Sequence, residues 1–105
     1  MKREEIIQCI VEVCATIVVN ANRSESLYLE QLLGEKNRSL FVSTAIQIAL
    51  RIGTQKPEAK RALQLHLKMT PQELSDVLNP KQNFITESKF EELVRGEIAR
   101  LRQSI

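Results

Sequence analysis

General acid–base chemistry near neutral pH most often calls on histidine, and this 105-residue chain holds one, His66, set between Leu65 and Leu67. A lone imidazole cannot build a metal site and needs partners to orient it for catalysis, so we expect a surface or partly packed histidine. Cys9 and Cys14 lie five positions apart in an apolar run. On a helix that spacing sends them to different sides, which excludes a bond between them. With neither CxxC spacing nor a neighbouring histidine, they read as small buried hydrophobes in a reducing compartment. The acid pairs Glu4–Glu5 and Glu91–Glu92 are adjacent in sequence, splay around a helix and read as solvated faces.

Phosphate-binding loops need clustered glycines, and Gly34, Gly53 and Gly96 stand far apart. No stretch alternates the Asp and Asn ligands that a calcium loop requires. The expectation is therefore a protein that is not an enzyme and uses no metal and no cofactor.

Charge carries a second candidate. The chain has a formal net charge of +2, and residues 51–68 concentrate the excess, with Arg51, Lys56, Lys60, Arg61 and Lys68 against the single acid Glu58. Such a basic patch could face an acidic protein or a phosphate backbone in a salt-sensitive contact. A small overall charge is weak for a nucleic-acid binder, and few aromatics leave no stacking platform for single strands.

The elements that would position these residues follow from periodicity. Ile6 to Asn20 is apolar except at Gln8, Glu12, Thr16 and Asn20, spaced by four. On a helix they make one narrow polar stripe, and every other side needs apolar cover. A period of two also fits, with Ile7, Cys9, Val11, Val13, Ala15, Ile17 and Val19 uniformly apolar; length favours a helix, least securely over Thr16–Val19. Three acids at Glu4, Glu5 and Glu12 speak against a signal peptide, and the run is too short and interrupted to span a bilayer, so a cytoplasmic protein with no membrane contact is expected.

Asn22 and Glu25 form a capping-box pattern that starts a second helix carrying Leu27, Leu29, Leu32 and Leu33, and Gly34 is placed to end it in a left-handed conformation. After a polar EKNR connection, Ser39–Ile52 repeats the opening pattern, with Ser43, Gln47 and Arg51 as its stripe. Gly53 can close that helix, and Pro57 can open a fourth with Ala59, Ala62, Leu63 and His66 on one face, widened by Leu65 and Leu67. Thr70, Pro71 and Glu73 mark a further start with Met69 and Leu74 as a hydrophobic staple, and Asn79-Pro80 ends it. Thr86 caps the last helix, with Ile85 and Phe90 as its staple. Phe90, Leu93, Val94, Ile98, Leu101 and Ile105 lie along one side. Gly96 in its middle suggests a close approach or a bend.

The stretch LKMTPQELSDVLNP resembles the first helix of helix-turn-helix repressors in its L-x-x-T-x-x-E-L opening, but NPKQNFI follows in place of the tight glycine turn and recognition helix. The same residues look like the C-terminal tail of the aspartase and fumarase superfamily, whose catalytic serine loop has no counterpart here. Neither resemblance implies a function for this chain.

The sequence thus predicts a single all-α, compact bundle-like domain of five or six helices, with those near 3–20 and 39–52 central. Six short elements offer limited surface to sheath two such helices, so a homodimer or another protein partner is expected. The function expected is a non-enzymatic protein–protein interaction module, an adaptor, chaperone or regulator that presents a helical apolar surface, with Ile6, Ile10, Leu27, Leu29 and Phe41 as interface candidates. The alternative is a small nucleic-acid-associated regulator that uses the basic patch.

Overall fold

The structure of the protein, a computed structural model, describes residues 3–52, 56–78 and 85–103. Among them are the helices α1 (Arg3–Asn20), α2 (Arg23–Gly34), α3 (Arg38–Ile52), α4 (Pro57–Leu67), α5 (Pro71–Leu78) and α6 (Glu87–Gln103), and no strand. The residues proposed as stops at Gly53 and Asn79-Pro80, the side chain of Leu74 and the end of the apolar row at Ile105 lie outside the described residues.

Thr16–Val19 continue α1 as helix, so the strand alternative is gone. Burial explains why β-branched residues are tolerated there: Val11, Val13, Ile17 and Val18 are all buried, and tertiary packing outweighs a modest loss of helix propensity. α1 lies at the centre. It packs most extensively on α6 and α4 and also touches α2, α3 and α5. Most of the apolar cover that α1 needs is therefore supplied by the chain's own helices. α3 packs on α1, α2, α4 and α5, but its outer side remains open at Leu40 and Leu50.

Local signals set most of the boundaries. The Asn22 side chain accepts from the Glu25 backbone N–H at 2.8 Å while Asn22 N–H donates to the Glu25 carboxylate at 3.4 Å. The Ser26 hydroxyl then donates to the Val18 carbonyl and ties α2 to the end of α1. Thr70 and Glu73 form the same reciprocal cap at the start of α5, with bonds of 2.8 and 3.1 Å. Thr86 caps α6 by accepting from Lys89 N–H at 3.1 Å, and its staple pair is in place, with Ile85 half-buried and Phe90 buried.

Two boundaries differ from expectation. Gly34 is still helical, and the left-handed residue is Lys36 at φ 59°. Lys36 N–H reaches the Leu33 carbonyl and Asn37 N–H the Leu32 carbonyl. That pair of bonds is a Schellman closure, two residues later than the glycine suggested, and it satisfies carbonyls that α2 would otherwise leave unpaired. Asn37 immediately caps α3 by accepting from Leu40 N–H at 3.2 Å. α3 accordingly starts at Arg38, which belongs to the helix rather than to a polar connection.

Arg38 is the one charged side chain in the core of the described residues, 3% exposed. Its Nη1 donates to the Ile85 carbonyl at 2.6 Å, and its Nε lies 3.4 Å from the Glu87 carboxylate. The guanidinium also sits 5.9 Å from the centre of the Phe90 ring, which meets Phe41 edge-on at 6.1 Å. These contacts fix the approach to α6 against the start of α3. No close approach explains Gly96: a Cβ there would meet nothing within 4 Å.

Candidate docking groove

Of the five interface candidates, four are spent on the chain's own core. Ile6, Ile10, Leu29 and Phe41 are buried, and only Leu27 is exposed, at 56%. The apolar stripe that makes a residue look available to a partner is the same stripe that closes a single-chain core, which is why periodicity alone could not separate the two uses. Tyr28, Leu40, Leu50 and Leu67 join Leu27 as exposed large apolar side chains. Leu67 was expected to widen the inner face of α4; it stands on the outside, because Ala59 and Ala62 define a narrower buried strip.

The basic residues are not all equally available. Arg51 is on α3, where its guanidinium is held by the Glu25 carboxylate of α2. Lys56 donates from Nζ to the Asn20 carbonyl at 2.6 Å and so caps the C-terminal end of α1. Lys60, Arg61 and Lys68 remain exposed along α4.

His66 is half-buried on α4, and its Nδ1 is buried without a hydrogen-bond partner among the described residues. Burial lowers its pKa below the ordinary histidine value. Nearby, the Cys9 thiol donates to the Leu65 carbonyl at 3.4 Å. Cys9 and Cys14 are free and buried, and desolvation raises both thiol pKa values, with Glu12 adding to the effect at Cys9. Such thiols are poor nucleophiles and poor metal ligands. No group of three or more His, Cys, Asp or Glu able to hold a metal ion occurs among the described residues.

What the packing does leave is a gap on one side of α1. α4 and α6 flank that helix, and between them runs an open groove of about 500 Å³. Its floor includes Glu12, Thr16 and Asn20 of the four-spaced polar stripe, so the stripe marks the side of α1 that its neighbours do not close. Val19, Ala62, Leu65 and Leu101 supply apolar surface within it. Glu58 and Arg61 on α4, and Glu97 and Arg100 on α6, bring charge to its sides.

These charges differ in how far they are already committed. Arg100 hydrogen-bonds the Glu97 carboxylate, which lowers the Glu97 pKa and raises that of Arg100. Glu12 accepts from Gln8 Nε2 at 3.0 Å, and Asn20 donates from Nδ2 to the Thr16 carbonyl at 2.9 Å. Glu58 and Arg61 have no ion-pair partner among the described residues. The groove therefore combines apolar surface with unspent charges of both signs. That arrangement suits the side chains of a docked helix, whose apolar residues can cover the floor while its charged residues meet the rim.

The stripe could be read in the sequence, but Glu58, Glu97 and Leu101 could not be assigned to the groove, because three helices distant in sequence have to meet before it exists. No described helix is long and apolar enough to cross a membrane. Comparisons of the chain with known protein families, curated proteins and solved structures return no significant match.

Proposed function

We infer that the protein is a non-enzymatic protein–protein interaction module, an adaptor, chaperone or regulator, and that the groove between α4 and α6 is where it receives a helical segment. The observation that carries this reading is the incomplete wrapping of α1: Val19, Leu65 and Leu101 meet in an open groove beside the uncommitted charges of Glu58 and Arg61. Covering that floor removes apolar surface from water, and pairing the rim selects the partner. The nucleic-acid alternative has less to draw on, since Arg51 and Lys56 are already engaged by Glu25 and Asn20.

A photo-crosslinking amino acid in place of Arg61, compared with one in place of the exposed Ser43 on the outer side of α3, tests the reading in living cells. A discrete polypeptide adduct from position 61 and none from position 43 is the expected result. Absence of any adduct at 61, or equal labelling at both sites, would overturn it.

A further inference from the structure

We propose that the occupant of the groove is the outer ridge of α4 from a second copy of the chain, in a dimer whose two-fold symmetry makes the contact twice. This rests on the docking reading above and names the partner.

The ridge is formed by Lys60, Gln64, Leu67 and Lys68, all exposed and on one side of α4 by helical spacing. It carries two positive charges and no acid, and Leu67, at 72%, is the most exposed large apolar side chain among the described residues. The groove offers Glu12, Glu58 and Glu97 against Arg61 and Arg100, and Arg100 is already engaged by Glu97. One molecule thus carries both a basic ridge and a more acidic groove.

Symmetry lets these opposite charge biases meet. When two copies face each other across a two-fold axis, each presents its ridge to the other's groove, so one type of contact closes both halves of the interface. Lengths agree as well. The helical part of the ridge, from Lys60 to Leu67, extends about 10 Å, and the groove floor from Glu12 to Asn20 about 12 Å at the usual helical rise. Leu67 gains cover and Glu58 gains a cationic neighbour in the same movement. The ionic part of such an interface weakens with added salt.

Sedimentation of the full chain over the micromolar range tests the proposal directly: a dimer that dissociates on dilution and on raising salt is expected, and a monomer throughout would overturn it. Charge reversal then tests which surfaces meet. E12K/E58K makes the groove basic and leaves the ridge basic; K60E/K68E makes the ridge acidic and leaves the groove acidic. Each variant alone is expected to sediment as a monomer with unchanged helical circular dichroism, whereas an equimolar mixture regains the dimer, since both ridge–groove contacts are then of opposite sign. A mixture of folded variants that stays monomeric overturns the proposed contact. A crosslink from position 61 to a different polypeptide, with no self-adduct, overturns the second copy as occupant but leaves the docking reading standing; no adduct at all removes both.

Discussion

Arg38 Nη1 donates to the Ile85 carbonyl across 47 residues of chain, at 2.6 Å and in the core. A guanidinium withdrawn from water is held there by that carbonyl, by the Glu87 carboxylate and by the Phe90 ring, and removing it strands polar groups that have no other described cation beside them. Arg38→Ala is expected to destabilise the fold by about 2–4 kcal/mol in denaturant titration. Arg38→Lys should recover only part of the loss, because an ammonium cannot reproduce the planar fork. A loss below 1 kcal/mol for the alanine variant, an effect of about the size of one exposed ion pair, would mean that the buried contacts contribute little.

Gly96 sits inside α6 with open space where a Cβ would project. Gly96→Ala should therefore stabilise the protein by about 0.5–1 kcal/mol, since alanine restricts the unfolded chain and fits the helix. Thermal unfolding gives the check. A lower melting temperature would show that the glycine serves a contact made outside this single chain.

His66 has its pKa lowered by burial, so the folded state disfavours the proton that the unfolded chain accepts near the ordinary value of 6.5. Its contribution is fully present above that value and is lost as pH falls below it, because protons then bind preferentially to the unfolded chain. Wild-type stability should thus decline between about pH 7 and pH 5 more than that of His66→Gln. Parallel declines in the two proteins would refute the assignment. Carboxylates such as Glu91, whose pKa is lowered by hydrogen bonds from Arg95 and Lys36, act in the same direction at lower pH and are common to both proteins.

The two thiols provide a probe of α1. Cys14 is fully buried and Cys9 is 8% exposed, and burial raises both pKa values. Since thiolates are the reacting species, neither should react with a disulfide reagent at neutral pH until the chain unfolds, and both should react in denaturant. Rapid labelling of the folded protein would show that α1 is less enclosed than its packing indicates.

What could be read from the sequence was local. The reciprocal caps at Asn22–Glu25 and Thr70–Glu73 and the polar stripe of α1 depend on residues three or four apart, and they recur in the structure as hydrogen bonds and as a side left open. The site was less legible. Leu29 and Phe41 looked available because an apolar side chain carries no mark of whether its cover comes from its own chain or another. Arg38 looked like part of a polar connection, because the carbonyl that holds it belongs to Ile85, far along the chain. At Gly34 the usual preference for glycine in a left-handed closure failed, and Lys36 took that conformation instead. The Lys36 ammonium lies 2.9 Å from the Glu91 carboxylate, which directs that side chain toward α6.

The dependence of α1 on α6 for much of its packing has a consequence for biosynthesis. α1 leaves the ribosome before α6, so one of its two main shields is made only after the four intervening helices. During that interval α1 is an aggregation hazard, and a chain cut short before residue 87 would carry the hazard permanently, leaving it as a ready substrate for chaperones and proteases.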